Sequence, residues 1–364
     1  MMHIGVSLSP FGHHPAAWRG ETGPRHPLDA GYFAAQARKA QDGRLDFVFF
    51  ADVQARRPRT QLSPQAVPFE PTTLVAALAT LATRIGFVAT AATRQHELYN
   101  LARRFASLDL ISQGRVAWNF LASGPSDAWD AEYVEVVRSL WDSWDDDAFV
   151  YDKTAGRFFV PQKMHVLDYR GKHFTVRGPL NVNRSPQGRP VIAHVLTPQT
   201  MAIATHSADV LFLTSASRED SDALLAEVRR LLLIQGRQRS DVRVLANIIP
   251  WVGATTAQAR DAFDELNALS LSEPAGTTPG RDVIGTAAEV ADALQESFET
   301  GQIDGFTILP PVAPGGLDAF VDCVVPELTR RGLFRARYEG TTLRDHLALA
   351  TAITTRTGSQ RHEK

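Results

Sequence analysis

Short apolar runs alternate along the whole chain with longer stretches in which apolar residues recur every three to four positions. The runs Ile4 to Ser9, Asp46 to Asp52, Arg84 to Thr90, Val116 to Leu121, Pro190 to Val195, Asp209 to Thr214, Val242 to Val252 and Gly305 to Leu309 predict eight strands. Phe47-Val48-Phe49-Phe50-Ala51 is apolar at consecutive positions, as a strand covered on both faces requires, whereas a one-sided sheet would alternate. Eight such strands separated by helical segments predict an α/β fold closed into a parallel (β/α)8 barrel, in which chemistry collects at the carboxyl ends of the strands.

The helices follow from the longer period. Leu74, Leu78 and Leu81 mark one within Glu70 to Ala82, and Leu224, Val228, Leu231 and Leu232 mark another with Ser217 as its N-cap. Thr286-Ala287-Ala288-Glu289 is a capping box that opens a third through Val290, Leu294 and Phe298. About seventy residues separate strands four and five, far more than one βα connection needs. They hold an amphipathic helix at Glu132 to Trp144 and then the polar, proline-containing stretch Asp145 to Gly188, expected to be an insertion lying over the carboxyl face. Gln54 to Pro71, with Arg56, Arg57, Pro58, Pro64, Pro68 and Pro71, reads as a second such loop. Ser272 to Arg281 reads as irregular, and the polar tail at 351–364 as poorly ordered. With no internal repeat and no linker, residues 1–350 are expected to form one domain, with the insertion at about 124–188.

Composition narrows the function. Lysine and arginine number 38 against 40 acidic residues, a formal charge of -2 that offers no electrostatic footprint for nucleic acid or an anionic membrane. The single cysteine, Cys323, excludes an intramolecular disulfide and a multi-cysteine zinc site, and its apolar run predicts a core thiol. A signal segment and an 18-residue apolar run are both lacking, so a cytoplasmic location is expected.

Candidate chemistry sits at strand ends. Strand one runs into Gly12-His13-His14; adjacent imidazoles diverge in an extended segment, which disfavours a shared metal and favours His13 alone as a proton or hydrogen-bond donor, the alternative being a loop histidine bonded to backbone. Asp52 after strand two is either a loop cap or a cofactor contact. Asn119 in strand four needs partners for its amide, which the pyrimidine edge of a flavin would supply, unless the amide only ties down the next loop. After strand five, Thr197 is placed to act as an N-cap with Pro198 at the first helical position, leaving N–H groups at Gln199 and Thr200 to meet an anion.

Gly12-His13 with Ala16-Ala17-Trp18-Arg19, the run from Arg103 to Asn119, Leu140-Trp141-Asp142-Ser143-Trp144, Gly171-Lys172-His173-Phe174, Gly178-Pro179-Leu180-Asn181 and Arg330-Arg331-Gly332-Leu333-Phe334 resemble the nitrilotriacetate-monooxygenase (component A) branch of the bacterial-luciferase-like flavin monooxygenases. That resemblance implies a TIM-type barrel that takes reduced FMN from a separate NAD(P)H:flavin reductase, reacts it with O₂ to a flavin C4a-hydroperoxide and oxidises a small organic molecule. It implies Asp52 and Asn119 at the flavin ring and Gly12-His13 lining the cavity; taken with the reading of the residues themselves, the expected site has Asp52, Thr93 and Asn119 at the flavin ring, Thr197, Gln199 and Thr200 at the phosphate, and His13 beside the reacting centre. The chain has no dinucleotide fingerprint, in keeping with delegated flavin reduction, and a homodimer or homotetramer is expected. It departs from the pattern where relatives carry a Gly-x-Ser turn after strand five, having Ala193-His194-Val195-Leu196-Thr197-Pro198 instead, and a tyrosine usual before Trp129 has no counterpart. Two alternatives stay open: a degenerate barrel that binds flavin weakly or not at all, and a metal-dependent hydrolase using His13, His14 and His194.

Overall fold

All eight expected strands form and close on themselves. The structure, a computed structural model, describes residues 1–19, 28–52, 69–122, 128–214, 217–269 and 280–352. In chain order come β1 (His3–Ser7), β2 (Phe47–Phe50), β3 (Gly86–Ala92), β4 (Val116–Leu121), the hairpin strands β5 (Phe149–Asp152) and β6 (Arg157–Phe159), and the pair β7 (Tyr169–Arg170) and β8 (Thr175–Val176). They are followed by β9 (Val191–Leu196), β10 (Val210–Leu213), β11 (Arg243–Val252), β12 (Arg281–Gly285) and β13 (Gly305–Ile308). The ring runs β1-β2-β3-β4-β9-β10-β11-β13 with every neighbour parallel, and β13 returns to β1 with His3 opposite Gly305. Strand β12 was not expected. It pairs outside the ring with the far half of β11, from Ile248 opposite Arg281 to Val252 opposite Gly285. Its five residues follow a Gly, Pro and Thr-rich stretch and carry too little periodicity to stand out.

The period-two alternation gives each strand an outer and an inner face. Val116, Trp118 and Phe120 of β4 pack outward beneath the helices Leu98–Ile111 and Ala128–Trp141. Phe47, Phe49, Val88, Ala117, Val191, Ala193, Val210, Phe212 and Leu245 fill the interior. Phe47 reaches across the barrel only because β1 offers Gly5 opposite it; a Cβ at Gly5 would overlap the ring. At the amino end Leu343, of the short helix Leu343–His346, and Leu347 plug the barrel, with Arg344 paired to Asp209 at 2.9 Å.

Helix ends follow local chemistry. Glu70 caps Pro71–Leu78 by accepting from the N–H groups of Thr72 and Thr73, Ser217 caps Arg218–Ile234, and Thr286 and Glu289 form the expected capping box. Leu81, expected within this helix, lies beyond its end and is exposed, because the helix stops at Leu78.

Two expectations are corrected. The insertion does not lie over the carboxyl face: its described contacts run down the flank of the barrel. Phe174 packs on Trp129 and Tyr133 at 5.0 and 5.6 Å, Trp144 donates to Leu180 O at 2.7 Å, and Gln187 reaches Val116 O at the foot of β4. The outer faces of two helices carry the apolar surface that this polar stretch can cover. Cys323 is exposed, not buried, because its run is a π-helical turn in which Phe320, Val321 and Val324 face the core and Asp322 and Cys323 face water. The loop 54–68, most of the segment after β4, residues 270–279 and the tail from 353 lie outside the described residues. Among the described residues no helix is long and apolar enough to cross a membrane.

Candidate functional site

Above the apolar layer, the same alternation aims a ring of polar side chains into the carboxyl end of the barrel: Ser7 of β1, Thr90 of β3, Asn119 of β4, Asn247 of β11 and Thr307 of β13. Asn119 stands opposite Thr90 in register, and Asn247 opposite Thr307. The Asn119 amide nitrogen donates to Thr90 Oγ1 at 3.0 Å. Its Oδ1, with the residue 2% exposed, has no hydrogen-bond partner among the described residues, and neither has Thr307 Oγ1. An unsatisfied buried acceptor costs about 1–3 kcal/mol, so these atoms fit a ligand that brings its own N–H donor. Phe49 and Phe212, edge to face at 5.1 Å, form the apolar floor.

His13 enters this ring through the loop after β1. Gly12, at φ +109, lets that loop run against Pro311 and Val312, and a Cβ there would overlap the Pro311 carbonyl oxygen. The backbone N–H groups of His13 and His14 then donate to Pro310 O and Pro311 O at 2.9 and 3.0 Å. We expect Gly12→Ala to lose about 1–3 kcal/mol of stability in urea unfolding, and a loss below the error of that measurement would show that the loop adjusts freely. His13 Nε2 lies 3.0 Å from Ser7 Oγ and Nδ1 lies 3.3 Å from Pro310 O. Burial lowers its pKa to about 4, against a smaller opposing effect of the Pro310 carbonyl, so the ring is neutral at pH 7. His14 turns the other way, to Asn267 Oδ1 at 3.2 Å and the Trp251 ring. His194 projects from the outer face of β9, and no group of three metal-ligating side chains occurs among the described residues. The three imidazoles thus share no site.

Asp52 is half-buried just past β2 and acts electrostatically on His96, whose pKa burial and then Arg104 hold below its ordinary value while Glu70 and Asp52 oppose them. Thr93 opens the turn after β3 fully buried, with its hydroxyl on the Asp130 carboxylate and Leu121 O, facing the Ala128–Trp141 helix. Neither lies in the polar ring beside Asn119.

The turn after β9 differs from its expected form. The helix begins at Met201 with Thr200 at its cap position, so Thr197 is not the N-cap and Pro198 is not its first residue. The reason is His194. Its Nδ1 lies 2.8 Å from Phe120 O, a pure acceptor, so Nδ1 carries the proton and Nε2 accepts from Thr200 Oγ1, also at 2.8 Å. Thr200 having given its only hydrogen, Thr197 must donate to Thr200 at 2.8 Å, and the Thr200 N–H turns back to Thr197. Burial keeps His194 neutral, with a pKa lowered to about 4, and the ring stacks on Phe120 at 4.2 Å.

Sequence reasoning found Asn119 and His13 but missed Ser7, Thr90, Asn247 and Thr307. Their signal was available: once Asn119 is taken to point inward, alternation on each neighbouring strand puts these residues on the same face.

Comparison with known proteins agrees with this geometry. The family model described as luciferase-like monooxygenase matches residues 2–296. The chain is 33% identical to N-acetyl-S-(2-succino)cysteine monooxygenase of Bacillus subtilis (strain 168), covering 96% of this chain and 97% of that protein. It is 32% identical to nitrilotriacetate monooxygenase component A of Aminobacter aminovorans, covering 96% of each. Among solved structures, a riboflavin lyase with modified FMN and substrate riboflavin superposes with a TM-score of 0.86 at 26% identity over 96% of each chain. With the family model matching residues 2–296 and these relatives aligned over 96% of it, the chain, a closed parallel barrel with a polar ring at its carboxyl mouth, belongs to the luciferase-like monooxygenase family.

Proposed function

We propose that the chain is the oxygenating component of a two-component system that uses reduced FMN and O₂ to oxidise a small organic substrate. The observation that carries this reading is the buried, unpartnered Asn119 Oδ1 in the barrel mouth of a monooxygenase-family chain. An isoalloxazine offers the complement, a ring N–H flanked by carbonyls. When bound, the reduced flavin supplies the two electrons that convert one oxygen atom of O₂ to water while the other enters the substrate. The protein's part is to hold and exclude. Asn119 would accept from the flavin ring, Asp52 and Thr93 would stand at its edge from the ends of β2 and β3, and the aromatic floor would keep water from the reacting face. His13, neutral, stands across the mouth as the group able to take a proton. Electrons come from a separate NAD(P)H:flavin reductase, since the chain has no dinucleotide fingerprint of its own.

The phosphate end is assigned to Thr197, Gln199 and Thr200. Because both threonine hydrogens serve the His194 chain, an anion must compete for them, and the preference for FMN over riboflavin should be small, about 1 kcal/mol or fivefold. A paired anaerobic titration with reduced FMN and reduced riboflavin tests this. Equal affinities would remove these residues from the site. Binding of neither would overturn the monooxygenase reading, which is supported in turn by ¹⁸O from ¹⁸O₂ appearing in a product when a flavin reductase and NADH are supplied.

A further inference from the structure

We propose that Ser7 is a positioning residue for His13: its hydroxyl donates to the Nε2 that Pro310 O leaves bare, which holds the ring at the barrel mouth and sets how readily that nitrogen takes a proton. The inference rests on the reading above that the reacting centre lies in this mouth. Pro310 O already accepts the His13 backbone N–H, and as a carbonyl it can only accept, so the ring nitrogen facing it at 3.3 Å must be Nδ1–H. Nε2 then carries a lone pair, and the Ser7 hydroxyl at 3.0 Å is its donor. Ser7 is 7% exposed and held rigidly on β1 in register with Phe49, so the hydroxyl arrives from the barrel wall. With its hydrogen committed to His13, Ser7 Oγ has only lone pairs for the mouth, and a proton arriving there passes to Nε2. No side-chain charge among the described residues acts on His13: from its own loop His14 turns to Asn267 and Trp251, and from the loop after β13 only the Pro310 carbonyl faces it. Pro310 O therefore sets the tautomer, and Ser7 supplies the side-chain bond that occupies the bare Nε2.

The test is ¹⁵N NMR of imidazole-labelled, flavin-free protein. The wild type should show His13 with Nδ1 protonated, Nε2 bare and a titration well below that of an ordinary histidine. Ser7→Ala removes a bond that stabilises the neutral ring, so, with the tautomer still set by Pro310 O, it should raise the titration midpoint by about one pH unit, tenfold in proton affinity. Ser7→Thr, which restores a hydroxyl, should return the midpoint, and the acid limb of kcat/KM in the reductase-coupled reaction should move with it. Should Ser7→Ala not fold, Ser7→Cys keeps the volume with a weaker donor and should shift the midpoint the same way by less. A wild-type ring carrying its proton on Nε2, or a midpoint unmoved by loss of the hydroxyl, overturns the proposal. The NMR result needs no flavin, so it stands apart from any failure of the monooxygenase reading.

Discussion

Asn119→Ala should weaken FMN binding about 5- to 150-fold, equivalent to about 1–3 kcal/mol, with the barrel intact by circular dichroism. The range follows from where the amide sits. Oδ1 is buried without a hydrogen-bond partner among the described residues, so the wild type carries the cost of desolvating it and recovers that cost only when a donor arrives. Truncation removes the acceptor together with the bond to Thr90, and β9 offers no replacement, since Ala193 stands on that side. Riboflavin should suffer by the same factor, because the contact is to the ring and not to the phosphate. That equality separates a ring contact from disturbance of the Thr197 to Thr200 turn. FMN affinity unchanged in a well-folded Asn119→Ala protein would remove this residue from the site.

Asp46→Asn should be the most damaging single polar substitution in the barrel wall, costing about 3–5 kcal/mol in urea or thermal unfolding. Asp46 is fully buried ahead of β2, where one carboxylate oxygen accepts the Ile4 N–H at 2.6 Å and the other meets the Arg335 guanidinium, with His3 Nδ1 at 3.6 Å. The amide keeps the volume but leaves Arg335, itself 10% exposed in its side chain, without its counter-charge. Burial by itself would raise the Asp46 pKa; Arg335, His3 and the Ile4 N–H outweigh it and hold the carboxyl below its ordinary value. A carboxyl depressed on folding contributes stability above its unfolded pKa, about 3.9, and loses it as pH falls through the lower folded value. The difference between wild type and Asp46→Asn should therefore be full at neutral pH and shrink below about pH 4. A loss under 1 kcal/mol at pH 7 would show that Arg335 finds another partner.

What the chain declares locally is its succession of elements. Eight apolar runs, Glu70, Ser217 and Thr286 at helix starts, and the positive-φ Gly114 before β4 each depend on neighbours within a few residues, and each is where the pattern puts it. Period-two alternation likewise contains the orientation of Asn119. Elements whose form depends on distant partners could not be read this way. Strand β12 exists because the far half of β11 extends beyond the ring and offers it an edge. The insertion lies on the flank because Glu132, Trp129 and Tyr133 present the surface it covers. Cys323 faces water because a π-helical turn, not a strand, carries it.

The site divides along the same line. Residue type and strand position in the sequence determine that His13, Asn119 and the threonines after β9 lie at the carboxyl mouth, since a parallel barrel leaves strand ends no other place. Hydrogen-bond partners were decided by tertiary structure alone. Pro310, from the other end of the chain, sets which nitrogen of His13 holds the proton, and Asp130 takes the Thr93 hydroxyl away from the mouth. Phe120 O orients His194 and, through it, dismantles the expected Thr197 cap. A hydroxyl or imidazole bonds whatever acceptor folding brings within about 3 Å, and that distance is a property of the closed barrel, not of any local run of residues.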